Sequence, residues 1–260
     1  MISKLYRGLS AVYTLWLREM LRFIRAKSRI VGTVVMPLMF LGMLGSGFDM
    51  SFRATTMTIN AEFLTPGILG MTVLFTSLIG GVSIIWDREF GFLKEMLIAP
   101  VNRYFIVLGK AIGGVTAGLI QGVMILIITG TVIGVRYTSW VGVLLGIVIM
   151  FFIGLGFIGL GIALASKIES HEGFELVMTF IMFPIMILSG AFFPIEGLLK
   201  GSKWLELLAR LDPLTYGIDA LRGVLLGANT FSLVMDISVT IAFALVSVGI
   251  GALLFDRAIV

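Results

Sequence analysis

Six stretches of the chain carry no Asp, Glu, Lys or Arg: 30–48, 63–86, 111–135, 137–166, 176–195 and 237–255. The shortest has 19 residues and the longest 30. At about 1.5 Å per residue, each can cross the roughly 30 Å of bilayer hydrocarbon as a helix. A seventh run, 223–235, has 13 residues and is too short to span. The first 29 residues follow another pattern. Wound at about 100° per residue, Leu5, Leu9, Val12, Trp16, Met20 and Phe23 share one arc, and Lys4, Arg7, Arg18, Arg22, Arg25 and Arg29 take the opposite one. This predicts an amphipathic helix along a lipid surface, anchored by Trp16, Arg18, Arg22 and Arg25. No compact apolar stretch followed by a small-residue cleavage site marks it as a signal peptide.

Composition agrees with the pattern. The chain is 58% hydrophobic and 13% charged, with a mean hydropathy of +1.09, where soluble domains carry roughly a quarter of charged positions. The expected fold is therefore an all-α integral membrane protein. Residues 1–29 form the interfacial helix and 30–260 a six-span domain. Placing the N-terminus in the cytoplasm puts 13 of the 19 basic residues on the inner face, so both termini are expected to be cytoplasmic in a plasma-membrane, multi-pass protein. The net charge of +4 is then a topology signal and implies no nucleic-acid partner. Without cysteine, the chain has no disulfide or thiol chemistry.

Between the second and third runs, seven charges fall within Asp87–Lys110. A charge at the centre of a membrane helix costs about 2.5 to 3.5 kcal/mol on insertion scales. The segment is accordingly expected to leave the bilayer as a water-side lever joining two spans. On a helix, Phe90, Leu93 and Leu97 would form one apolar stripe with Glu89 at its edge, or Glu89 would pair with Arg88, Lys94 or Arg103.

Candidate chemistry is sparse. No acidic or basic residue lies well inside a predicted span, which argues against a proton relay or an ion-coupled carrier. Gln121 and Thr129 in the third span read either as helix–helix hydrogen bonds or as contacts along a substrate path. Gly114, Gly118 and Gly122, like Gly142 and Gly146, mark faces for close helix packing. The single histidine, His171, sits in His-Glu-x-x-Glu, which lacks the second histidine of a zinc-protease motif, so no metal is expected. There is no Walker-type phosphate loop either, and nucleotide energy would have to come from another chain.

After the fifth run, Ser189-Gly-Ala-Phe-Phe-Pro194 breaks the apolar pattern. Ser202 can cap a short helix that Pro213 ends, with Trp204, Leu205 and Leu208 as its apolar face, and a second helix runs from Thr215 to Gly227. Together 194–227 read as a re-entrant external hairpin, which either gates the outer mouth through Pro194, Trp204, Pro213 and Tyr216 or fills a packing gap.

The segment Asp87-Arg-Glu-Phe-Gly-Phe-Leu-Lys-Glu-Met-Leu-Ile-Ala-Pro-Val-Asn-Arg103 resembles the signature of type 2 ABC transporter permeases. Phe192-Phe-Pro-Ile-Glu196 with Leu211-Asp-Pro-Leu-Thr-Tyr-Gly-Ile-Asp-Ala-Leu-Arg222 is similar to the external segment of the daunorubicin-resistance branch of that family. The resemblance implies a permease subunit without its own ATPase, paired with a second copy and with cytoplasmic subunits that bind ATP and Mg. It implies that 87–103 is a coupling helix, in which Glu89, Gly91 and Pro100 dock against the ATPase, and that hydrophobic drugs or lipids are exported. The alternatives are export of a lipid-linked glycan or, from other classes, a secondary carrier, a channel or an intramembrane enzyme.

Overall fold

The computed structural model describes residues 2–52, 61–98, 101–168, 170–195 and 203–257. Every regular element among them is a helix: α1 (Ile2–Arg25), α2 (Lys27–Phe52), α3 (Ala61–Glu89), α4 (Phe92–Ile98), α5 (Arg103–Ile128, prolonged by a π-helical turn Thr129–Ile133), α6 (Trp140–Lys167), α7 (His171–Leu188), α8 (Lys203–Leu211), α9 (Pro213–Leu226) and α10 (Leu233–Arg257). Five of these, α3, α5, α6, α7 and α10, are each long and apolar enough to cross a membrane. A sixth span emerges only when α1 and α2 are taken together, and these meet at 67°.

Helix ends follow local capping chemistry and not the limits of the charge-free runs. Asn102, Ser139, Ser170 and Asp212 each accept a backbone N–H at the start of α5, α6, α7 and α9. The spans of α5, α7 and α10 begin earlier than the charge-free runs, because Lys110, the 171–175 segment and Asp236 are absorbed into them, and α3 ends later because it absorbs Asp87. The fifth ends earlier: Gly190, at φ +73°, stops α7 after Leu188 instead of 195.

The centre of the bundle is α3, 83% buried along its apolar window. Its glycines let neighbours close in. A Cβ on Gly81 would strike the backbone of Gly161 in α6, and Gly80 stands against Gly114 of α5. The stripe Gly114, Gly118, Gly122 packs on Ile158, Ser77 and Met150, while Gly142 and Gly146 receive Val224 and Leu225 of α9. Both small-residue faces therefore serve packing within this chain. On the far side of α6, Gly159 admits the backbone of Ser247 and Val248 in α10.

The amphipathic helix departs from expectation in its contacts. α1 runs alongside the first turns of α5: Gly8 meets Phe105, Leu15 meets Gly109, and Glu19 meets Gly113. The residue offset stays near constant through these contacts, so the two helices advance together. Trp16 is thereby turned from its expected lipid anchor toward α5, where its Nε1 donates to Thr116 Oγ1. Leu5 and Leu9 of the predicted apolar arc remain exposed.

Candidate functional site

At the α4 end of the bundle, the last turns of α3 gather charges from two other helices. Asp87 is 1% exposed, and an isolated carboxylate there would be very costly, so it survives only with partners. Lys110 Nζ of α5 donates to Asp87 Oδ2 and to Ser83 Oγ, the latter at 3.1 Å. Arg18 Nη2 of α1 reaches the same Oδ2 at 2.6 Å, and Arg22 lies 3.5 Å from Oδ1. Glu19 holds both arginines, at 3.2 and 3.6 Å. Lys110 was expected at the watery edge of the lever; the structure buries it fully because Asp87 neutralises it one helix away.

Two further ties close the same end. Arg88 donates to the carbonyls of Ala165 and Ile168, which the C-terminus of α6 leaves without helical partners. Arg103 donates to both the backbone and the side chain of Asp256, clamping the start of α5 to the end of α10. Lys110, Arg18, Arg88 and Arg103 thus join α1, α3, α5, α6 and α10 around one short segment.

That segment is a bent elbow. The expected continuous helix over 87–103 is corrected: Asp87–Glu89 finish α3, Phe90 lies in a turn, and Gly91 at φ +78° reverses the chain before α4 begins at Phe92. A Cβ on Gly91 would meet nothing within 4 Å, so glycine is required by backbone conformation and not by space. The stripe of Phe90, Leu93 and Leu97 is interrupted accordingly. Phe90, Phe92 and Ile98 project outward, 75%, 50% and 83% exposed, and Glu89 is exposed beside them. Met96 turns back into a cleft between α1 and α4 lined by Tyr6, Ser10, Thr14 and Val101. Pro100 lies outside the described residues, as do the side chains of Leu93 and Leu97. Of the remaining expected anchors, Arg18 and Arg22 are engaged with Asp87 and Glu19, and Arg25 is exposed.

At the opposite end both short helices of the expected hairpin are present, and 196–202, including Ser202, lies outside the described residues. Asp212 caps α9 by accepting from Leu214 N at 2.9 Å, and Pro213 occupies its first position. Burial pushes the Asp212 carboxyl up to about 7. Tyr216 donates to the carbonyl of Arg210 and packs on Phe231. Trp204, expected on the apolar face of this helix, is exposed, and Ala209 is the residue of α8 that is buried. Pro194 is half-buried in the turn after α7. There Gly67 of α3 abuts the carbonyl of Ala191, and Arg222 of α9 donates to Gly190 O while lying over the ring of Phe63.

The two candidate path residues lie inside the subunit. Gln121 is fully buried and accepts from Thr76 Oγ1 of α3. Thr129 donates to Ile125 O and meets Tyr137 Oη at 2.6 Å. Sequence reasoning overlooked the Asp87–Lys110 tie and the carboxyls of Asp219 and Asp236. The available signal was charge bordering an apolar run, where a helix that continues past the run must bury it.

Residues 10–226 match the family described as ABC-2 type transporter, well over half of the 260-residue chain. The inner membrane transport permease YadH of Escherichia coli (strain K12) is 27% identical over 239 residues, 90% of this chain and 90% of that one. Nodulation protein J of Rhizobium meliloti is 26% identical over 245 residues, covering 93% and 91%. The protein ycf38 of Cyanophora paradoxa is 28% identical over 205 residues, covering 77% and 70%.

Proposed function

This chain belongs to the ABC-2 type transporter family, and on that premise we propose that it is the exporting membrane subunit of a transporter driven by a separate ATPase. It is a transport permease, a multi-pass membrane protein. In the proposed assembly both termini and the α4 elbow face the cytoplasm, a second copy completes the membrane domain, and ATP with Mg sits on the partner subunit. The cargo is hydrophobic or amphipathic, a drug or a lipid, and α8–α9 form the outer gate.

The observation that carries this reading is the elbow. Phe90 in the turn and Phe92 and Ile98 on the seven-residue helix that follows are large, apolar and exposed, and they sit immediately beyond a span that is itself locked by buried ion pairs. An exposed apolar cluster rimmed by charge marks a protein contact. Rigid attachment to α3 lets motion of a docked partner reach the bundle. Asp87 and its cations supply that attachment.

The test is cross-linking in the assembled transporter. A cysteine at Phe90 or Ile98 should join engineered cysteines on the ATPase subunit, with a yield that changes when ATP is added. Active transport with no ATPase position reachable from 90–98 would overturn the assignment.

A further inference from the structure

Two carboxyls lie buried at the end of the bundle opposite the elbow. Asp219 of α9 and Asp236 in the first turn of α10 are each 0% exposed. Their surroundings differ sharply. Asp219 Oδ2 accepts the backbone N–H groups of Thr230 and Phe231, both at 2.8 Å, Oδ1 also faces Thr230 N at 3.1 Å, and Arg222 Nη1 stands 3.9 Å from Oδ1. Those donors suit an ionised carboxylate. Asp236 has none of them: among the described residues, neither of its oxygens meets a hydrogen-bond donor. Thr240 nearby spends its hydroxyl on the backbone carbonyl of Asp236.

Asp219, held to the Thr230–Phe231 backbone just ahead of α10, is the carboxyl that bears on Asp236. Ionised carboxylates only accept, so two of them in contact form a hydrogen bond only when one carries a proton. Among the described residues, no cation forms an ion pair with Asp236. Arg222 is committed to the Asp219 side and to Gly190 O. α6, which packs against both helices, contributes no ionisable side chain before Lys167 at its far end. Glu62, at the start of α3, is exposed, and the 227–232 connection contains no ionisable residue. Two bare charges held together out of water would repel and forfeit hydration.

We propose that Asp219 and Asp236 bind one proton between them, carried on Asp236 and donated to Asp219, and that this proton latches α9 to the last span. The site takes a proton and not a metal ion, since Asp219 already spends both oxygens on backbone amides. Parting α9 from α10 admits water to Asp236 and releases the proton to it. Opening at this end is therefore linked to proton release, whatever powers the transporter.

Infrared spectroscopy of the purified full chain tests the pair directly. An Asp212→Asn background removes the carboxyl of the α9 cap, whose own raised titration would overlap. At neutral pH that protein should show a protonated-carboxyl C=O band that shifts in heavy water, and adding Asp236→Asn should abolish the band. Because Asn is a neutral isostere of the protonated acid, Asp236→Asn should melt at or above its parent and lose the decline in Tm that the parent shows as pH rises. Asp219→Ala, which strips the acceptor from Thr230 and Phe231, should lower Tm at every pH. If Asp236→Asn fails to fold, titration of the band in the Asp212→Asn protein decides: a band that disappears along with Tm as pH rises supports the latch. A parent without such a band, or one whose band survives Asp236→Asn, overturns it.

Discussion

Trp16 and Thr116, 100 residues apart in the chain, share an N–H···O hydrogen bond of 3.2 Å that fixes α1 against the fourth turn of α5. Thr116→Val keeps the shape but orphans the indole N–H, which should cost about 1 to 3 kcal/mol if the site stays closed. Trp16→Phe removes donor and bond together and should cost less than Trp16→Ala. Combining Trp16→Phe with Thr116→Val should cost less than the two single changes added, measured as Tm in detergent. Full additivity would mean that the bond contributes nothing.

The Asp87–Lys110 tie predicts a pronounced asymmetry. Removing one partner, as in Lys110→Met, leaves a buried carboxylate with fewer cations and should destabilise by about 3 to 5 kcal/mol. The double variant Lys110→Met with Asp87→Asn removes both charges and should recover much of that loss. Thermal unfolding of the three proteins checks it. A double variant as unstable as the sum of its parts would contradict the pairing.

At Gly91 the requirement is conformational, so size should matter little. Gly91→Ala and Gly91→Trp should both strain the elbow by about 1 to 2 kcal/mol, and Gly91→Asn by less. In the assembled transporter the first two should uncouple ATP hydrolysis from export while insertion is normal. A silent Gly91→Ala beside a dead Gly91→Trp would point to a steric role at a docked surface.

Asp212 supplies a pH dependence. Its carboxyl is raised to about 7 in the folded protein, against about 3.9 for an unfolded chain. The folded state therefore holds the proton more tightly, so this contribution is complete below about pH 4, declines as pH rises toward 7 and is lost above it. The full swing is of order 4 kcal/mol. Asp212→Asn keeps a capping oxygen and should flatten the Tm profile over that window. Asp212→Ala loses the cap as well and should be lower by about 1 kcal/mol. An unchanged profile in Asp212→Asn would assign the dependence elsewhere.

Orientation is open to single-cysteine labelling, because the chain has no thiol of its own. A cysteine at Ser170 should react only from the cytoplasmic side and one at Ser139 only from outside, both positions being exposed. Labelling with the opposite sidedness would invert the proposed topology.

The spans were legible because twenty or so consecutive apolar residues admit few alternatives to a helix in lipid. Their ends were not. Charge-free runs stop at Trp86 and begin again at Ala111, whereas α3 reaches Glu89 and α5 begins at Arg103. Asp87 and Lys110 can enter the bundle only because they meet there, and a contact across 23 positions leaves no periodicity to read. The elbow was partly legible: glycine after Asp-Arg-Glu-Phe is a breaker signal, yet the spacing of Phe90, Leu93 and Leu97 fits an unbroken helical stripe equally well. The docking of α1 was hidden for a related reason. Trp16 fits a lipid anchor as well as a protein contact, and only Thr116 on a distant helix distinguishes them.

α3 is a single uninterrupted helix from Ala61 to Glu89, about 43 Å at 1.5 Å per residue. One tip is bolted to the elbow and the other rests on the carbonyl of Ala191. Neighbours on nearly every side forbid it to swing. Where it crosses α6, however, Gly81 faces Gly161 with no side chain on either to interlock. That crossing sets backbone against backbone, closer than any pair of side chains there would allow. α3 is thus a strut, with the elbow at one end and the Ala191 turn against Gly67 near the other.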